Sequence, residues 1–302
     1  MDLRTIFDLY CDKMAQIQLY QRAMKKLAKN ELEEINEYEK VIKNNPELKD
    51  YSHSHHRMTF RKAENGKHIS FARKKLSIKD RRLSVVLHKN KQYQWLLSES
   101  YEEFKDCLEY LYAYAGYIDN NFWPLKDFGN ISLNEVTSKP FEWFKNQASK
   151  KKDTTSSIIN KFRNTYDDIQ TIETNNTLEV NLYLAVTLVE FLRHIIVHKG
   201  GVVHNKNEFK KRVLEKCGLY NNGRPLEAHT NFIDAFFGEG EYENTIALLE
   251  IPIYQKIPLD FYINRFEVLS GYLMTYIYKI YECLEQSYKK NNSDNAKNGA
   301  SD

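Results

Sequence analysis

The chain has 302 residues, of which 42% are hydrophobic and 28% are charged, a balance that is ordinary for a soluble globular protein. Its 11 glycines and 6 prolines are too few for the many turns of an all-β protein, so we expect a mainly helical fold. The net charge of +3 is too small to indicate nucleic acid binding by itself.

The N-terminal part of the chain, residues 1–77, is predicted to be a helical extension with a small β-hairpin. Apolar residues recur at three- and four-residue spacing over 2–44, which indicates one or two long helices, and Pro46 ends the pattern. Apolar and polar residues then alternate on both sides of Asn65-Gly66. An Asn-Gly pair suits a tight hairpin turn because both residues tolerate positive φ.

Residues 57–91 form the most basic stretch of the chain, with twelve Lys and Arg residues against two acidic ones. Such a stretch could bind the RNA backbone, with nearby aromatic side chains stacking on bases. A solvated basic face explains the same pattern and is slightly favoured. The candidate RNA-binding residues are Arg73, Lys74, Lys75, Arg81 and Arg82. The HSHH cluster at 53–56 could hold a metal, but it is more typical of a polar loop.

Residues 78–288 are predicted to form a helical bundle, and residues 289–302 a disordered tail. A break is expected near 89–92, because the first helical pattern is too long for one compact helix, and a strand is expected within 245–254. The predicted helices cover 78–119, a segment from Pro140, 157–173, about 178–199, 206–216 and 259–288.

The helix predicted to begin near Leu178 is apolar over most of its length and ends in RHIIVHKGG, residues 193–201. His194 and His198 are four residues apart and share a face, whereas Arg193 and His198 are offset by roughly 140° on an ideal helix. A loosened last turn before the glycine pair would bring Arg193 and His198 together.

These basic residues admit three interpretations. Cations oppose the negative end of the helix dipole, so Arg and His could be simple caps. Two His at i and i+4 could bind zinc, but there is no HExxH motif and no clear third ligand beyond His204, so we predict no metal. The chemical interpretation is RNA cleavage: His198 would move a proton to or from the ribose and leaving oxygens, and Arg193 would stabilise charge on the phosphate.

The motif resembles the signature of the HEPN superfamily (higher eukaryotes and prokaryotes nucleotide-binding), in which an Arg, often followed by a polar residue, precedes a His by four to six residues. Arg193, His194 and His198 match it with four intervening residues. The resemblance implies a HEPN-type helical bundle, a homodimer with a composite active site, and a metal-independent endoribonuclease that leaves a 2′,3′-cyclic phosphate. An endoribonuclease of this type needs no cofactor, and many members of the superfamily act as toxins or antiviral effectors.

Two alternatives remain open: an inactive HEPN module that binds protein, nucleotide or RNA, and an unrelated helical scaffold. Glu99, Glu102 and Glu103 lie on the first predicted bundle helix, after Trp95, and one of them could orient an Arg or His at the cleft, although a solvated acidic patch is the simpler explanation. If the chain is a toxin, an antitoxin or another regulatory protein is a partner.

The location of the protein is predicted from its cysteines and its apolar runs. The four cysteines lie far apart without a CxxC pair, which is typical of reduced thiols. No apolar run approaches the roughly 18 residues of a membrane span, and the charged N-terminal residues lack the apolar core of a signal peptide. We therefore expect a cytoplasmic protein that does not associate with membranes.

Overall fold

The computed structural model describes residues 1–51, 53–151, 154–220, 223–253 and 261–298. Within them the fold is mainly helical, as predicted, with two small antiparallel sheets. The helices are α1 (Leu3–Asn44), α2 (Ile78–Ile118), α3 (Leu133–Val136), α4 (Phe141–Ala148), α5 (Thr154–Thr165), α6 (Asp167–Thr174), α7 (Leu182–Lys199), α8 (Lys206–Lys216), α9 (Glu227–Asp234) and α10 (Arg265–Asn298). The strands are β1 (Ser54–Arg61), β2 (His68–Leu76), β3 (Glu250–Ile253) and β4 (Phe261–Asn264).

The chain divides into two compact units. The smaller unit is Leu19–Tyr93, and the larger one combines Met1–Gln18 with the chain from Gln94 onward. The sequence places a boundary at 77/78, whereas these units divide within α1 and α2. The N-terminal turns of α1 belong to the larger unit, where Phe7 packs against Tyr278 and Tyr281 of α10.

Helix α7 is central to the core of the larger unit. Eleven of its residues are buried, on all sides of the helix, which is the pattern of a core helix and not of a surface helix. Helix α10 packs against it and buries Leu273, Ile277 and Ile280. The core therefore fixes α7 in place and leaves only its C-terminal end accessible, where His194, His198 and Lys199 are exposed.

In the smaller unit, α1 and α2 pack through Ala28, Ile35 and Val85. The predicted hairpin is present as β1 and β2, paired antiparallel. Its turn is longer than the two-residue turn expected from Asn-Gly: the Lys62 N–H donates to the Lys67 carbonyl, so four residues lie between the last pair. Gly66 has positive φ, but Asn65 does not. The Asn65 side chain instead accepts the Lys67 N–H at 2.9 Å, as Asn often does in turns.

Four helices differ from the sequence predictions in their boundaries. Helix α2 runs without the break expected near 89–92, since that stretch contains neither Gly nor Pro and buries Asn90. The helix predicted over 157–173 is divided at Tyr166, which is extended. The acidic Asp167 and Asp168 then begin α6, where the helix dipole favours negative charge.

The other two differences concern α7 and α10. Helix α7 begins at Leu182 because the Asn181 side chain accepts the Leu184 N–H at 2.8 Å and caps the helix there. Residues 254–260, which include parts of the predicted strand and last helix, lie outside the described residues. Helix α10 starts only after β4 and continues through Asn298, into the predicted disordered tail. Extending an existing helix is cheap because its nucleus is already formed.

Candidate functional site

The glycine pair after α7 ends the helix as predicted and turns the chain sharply. Gly200 and Gly201 have φ values of 65° and 84°, a region that favours glycine, and the Gly201 N–H donates to the Ile195 carbonyl at 3.2 Å. The Gly201 carbonyl then accepts the Ile246 N–H at 2.9 Å. Gln94 of α2 donates to the Ile246 carbonyl at 2.7 Å. These bonds hold the end of α7 in one position.

A cavity of about 490 Å³ lies beside the C-terminal half of α7. Four helices and the segment between α7 and α8 supply its walls. Its charged and polar lining residues are Tyr101, Glu102, Lys105, Thr155, Glu190, Arg193, His194, Lys199, His204, Asn205, Glu208 and Arg212. Four Lys or Arg residues, three Glu residues and two His residues thus share one space, with cations in slight excess.

Arg193 lies in this cavity and is held by an ion pair with α2. Its Nη2 atom is 2.5 Å from Oε1 of Glu102. Of the three glutamates considered as orienting residues, Glu102 is therefore the one that contacts Arg193. The Arg193 Nε is buried and has no hydrogen-bond acceptor among the described residues. The guanidinium is therefore fixed by Glu102 through Nη2, while its buried Nε–H has no partner in the described part of the chain.

His194 and His198 lie side by side on α7, with ring centroids 4.7 Å apart. His194 lines the cavity, whereas His198 is not among its lining residues. The loosened last turn expected from the sequence is not present, because α7 stays α-helical through Lys199. Arg193 and His198 therefore remain on different faces of the helix, and it is His194 that shares the cavity with Arg193.

The pKa of His194 is lowered from its ordinary value of 6.5. Partial burial is the main cause, followed by the neighbouring His198 and then by the cations Lys199, Arg193 and Arg212. Both effects disfavour the charged imidazolium. His194 is therefore biased towards the neutral form, which can accept a proton.

Helix α8 supplies the opposite wall, which sequence reasoning missed. The Asn205 side chain accepts the Glu208 N–H at 3.0 Å and starts α8 directly after the turn, so α8 returns alongside α7. Phe209 packs against Phe191 of α7. His204, which the sequence suggested only as a possible third metal ligand, lines the cavity, and so does Arg212. The glycine pair followed by an Asn cap is the sequence signal that could have predicted this return.

Tyr101 and Glu190 form the deeper part of the wall. Tyr101 is buried, and its pKa is raised mainly by this burial and secondly by Glu190. The Thr155 side chain forms a hydrogen bond with it that opposes the shift. Tyr101 therefore stays a neutral hydroxyl that can donate a hydrogen bond at physiological pH.

The five candidate RNA-binding residues divide into two groups within the smaller unit. Arg73, Lys74 and Lys75 lie on β2 and are exposed. Arg81 instead stacks over the ring of Tyr38 at 5.4 Å. Arg82 forms an ion pair with Glu39 and donates to Asn36 at 2.8 Å. Arg81 and Arg82 thus attach α2 to α1.

No group of three or more His, Cys, Asp or Glu side chains in the described part of the chain is arranged to hold a metal ion. None of the described helices combines the length and the apolar character that a membrane crossing requires. Comparisons of the chain with models of protein families, with curated proteins and with solved structures find no match.

Proposed function

We propose that the protein is a metal-independent endoribonuclease of HEPN type whose reaction occurs at the C-terminal end of α7. The observation that carries this proposal is that Arg193 and His194 share one cationic cavity, while His198 lies against His194. Arginine keeps its charge and can bind phosphate through two donors, and histidine exchanges protons near neutral pH. This pair of residue types is sufficient for phosphodiester transfer.

In the proposed reaction a histidine accepts the proton of a ribose 2′-OH. The 2′-oxygen forms a bond to phosphorus, the bond from phosphorus to the 5′-oxygen breaks, and a second acid protonates that oxygen. Arg193 stabilises the charge on the phosphate oxygens. The low pKa of His194 suits the accepting role, and His198, the motif residue, is proposed to donate. The products are a 2′,3′-cyclic phosphate and a free 5′-OH.

The exposed end of α7 also suits the composite site that the resemblance implies. His198 lies outside the cavity of its own chain and is exposed, so it is available to a second copy. We therefore propose a homodimer in which two α7 ends meet, and a biological role as a toxin or antiviral effector. Light scattering of the purified protein tests the dimer, and a strict monomer would count against the shared site.

The central test is cleavage of a single-stranded RNA in the presence of EDTA. We expect the wild type to cleave, His198→Ala and Arg193→Ala each to lose about 10²-fold or more in rate, and an RNA with a 2′-deoxy nucleotide at the cleaved position to resist. His88→Ala and Lys126→Ala, at exposed positions outside the cavity, serve as matched controls. Equal rates for all variants, or no cleavage by any, would exclude the ribonuclease.

A second candidate function is binding without cleavage. The ion pair between Arg193 and Glu102 favours it, because a phosphate must compete with a carboxylate for the same guanidinium. A cavity of about 490 Å³ is in the range that holds small ligands. In that case the RNA or a nucleotide would bind and be recovered intact, and Arg193→Ala would weaken binding.

A further inference from the structure

The hairpin of β1 and β2 carries an exposed apolar patch. Met58 pairs with Phe71 and Phe60 with Ile69, and residues two apart on a strand lie on the same face. The rings of Phe60 and Phe71 are 5.8 Å apart. Met58, Phe60 and Phe71 are 58%, 52% and 46% exposed. Large apolar side chains in such a cluster indicate a binding surface more often than chance exposure does.

Positive charge surrounds this patch. Residues 54–76 contain seven Lys and Arg residues and a single acidic one, Glu64. None of the seven belongs to an ion pair within the described ranges, and all are exposed. The seven residues are Arg57, Arg61, Lys62, Lys67, Arg73, Lys74 and Lys75. A ligand of this hairpin must therefore supply negative charge.

The register places the apolar patch between two basic groups. Towards the base of the hairpin, His55 pairs with Lys75 and His56 with Lys74. Towards the tip, the Lys62 N–H donates to the Lys67 carbonyl at 3.0 Å, and these two lysines lie two residues from Phe60 and Ile69, on the face of the patch. The base and the patch are separated by a bulge, which changes strand twist and redirects side chains. The resulting order along the hairpin is cations, aromatic rings, cations.

We propose that this hairpin binds single-stranded RNA, with Phe60 and Phe71 stacking on unpaired bases and the flanking cations contacting phosphates. Such surfaces combine stacking platforms with a basic track along the backbone. In a duplex the bases are stacked on one another, so the rings could not reach their faces. A second copy of the hairpin would bring seven like charges against seven. The choice of RNA over DNA rests on the proposed function.

Binding would be measured by fluorescence anisotropy with a labelled single-stranded RNA of about 12 nucleotides. The full-length His198→Ala protein is the background, so that cleavage does not interfere. We expect Phe60→Ala/Phe71→Ala to weaken binding more than tenfold. Arg73→Gln/Lys74→Gln/Lys75→Gln should weaken it and reduce the slope of log affinity against log salt by about 2, since each phosphate contact contributes about 0.7.

Two control variants remove the same groups from other exposed surfaces. Leu125→Ala/Leu226→Ala truncates two apolar side chains that are 70% and 66% exposed. A triple variant, Lys126→Gln/Lys150→Gln/Lys216→Gln, removes three charges from exposed positions. Both controls should bind within about twofold of the background protein, because none of these residues belongs to the hairpin and non-specific charge effects are small for so few changes.

Three results would overturn the proposal: hairpin variants that bind like the background, equal binding of a duplex of the same sequence, or a change of oligomeric state in the Phe60→Ala/Phe71→Ala variant with unchanged RNA affinity. The outcome is separable from the proposed function. Hairpin-dependent binding by a wild type that never cleaves supports the hairpin and excludes the ribonuclease. Hairpin variants that cleave RNA at the wild-type rate would support the ribonuclease and count against the hairpin as its RNA-binding surface.

Discussion

His194 lies where its surroundings oppose its own protonation. Burial contributes most to the lowered pKa, and Lys199 is among the neighbouring cations that contribute. A group whose charged form is disfavoured is protonated only at lower pH. If His194 accepts the proton from the 2′-OH, the rate should fall as the pH drops through this lowered pKa, so activity should persist slightly below the pH at which an ordinary histidine is protonated.

This argument predicts the effect of removing one cation. Lys199→Gln should raise the pKa of His194 at low ionic strength and move the acidic limb of the pH–rate profile to higher pH. The pKa would be measured by NMR titration of the imidazole. Lys126→Gln, at an exposed position that does not line the cavity, is the charge-matched control. An unchanged or lower pKa would show that the cation at 199 does not act on His194.

At the scale of the element, the turn after α7 holds the site against α2. A Cβ on Gly201 would lie 2.4 Å from the Gln94 Oε1, whereas a Cβ on Gly200 would have no heavy atom within 4 Å. Both glycines have positive φ, which costs other residues about 1–2 kcal/mol. The two positions therefore differ in packing and share the backbone penalty.

We expect Gly201→Ala to lower the free energy of unfolding by about 3 kcal/mol, since overpacking adds to the backbone cost, and Gly200→Ala by about 1 kcal/mol. Chemical denaturation measures both. Gln94→Ala combined with Gly201→Ala should recover part of the larger loss relative to Gln94→Ala alone. Equal losses for the two glycine variants would contradict the close packing of Gly201 on Gln94.

The same turn shows what could be predicted from the sequence. The glycine pair predicts the end of α7, because few other residues tolerate the left-handed conformation that ends a helix. The start of α7 was misplaced because several Asn and Thr residues before it are all plausible caps, and only tertiary packing selects Asn181. The glycine pair would also permit a loosened last turn, but α7 stays α-helical through Lys199, because glycines beyond a helix can end it without disturbing the turns before them.

At the scale of the whole molecule, the cavity could not be predicted from the sequence, for a physical reason. Its walls come from α2, α5, α7 and α8, and side-chain periodicity within one helix carries no information on which other helix faces it. The motif predicted Arg193 and His198 as the working pair with His194 in support; Arg193 and His194 line the cavity, whereas His198 does not. Tyr101, Thr155 and Arg212 join the site only through packing, so no local pattern marks them.

The contrast between a buried bundle and an exposed hairpin leads to a prediction for the chain as a whole. No residue between Ser54 and Leu76 is buried, so the hairpin removes little apolar surface from water and contributes little to stability. Ser54 and Leu76 are paired partners, and a loop of about four Gly and Ser residues can bridge paired strand ends. Replacing Ser54–Leu76 with such a loop should leave the melting temperature within about 2 °C of wild type.

The same replacement should weaken single-stranded RNA binding more than tenfold in the His198→Ala background, since it removes both the rings and the cations. Calorimetry and anisotropy on one preparation measure the two quantities together. A fall of more than about 5 °C would mean that the hairpin supports the fold, and any loss of binding would then be a consequence of unfolding. Unchanged stability together with lost binding would show that the hairpin binds RNA without supporting the fold, because the helical bundle would remain intact without it.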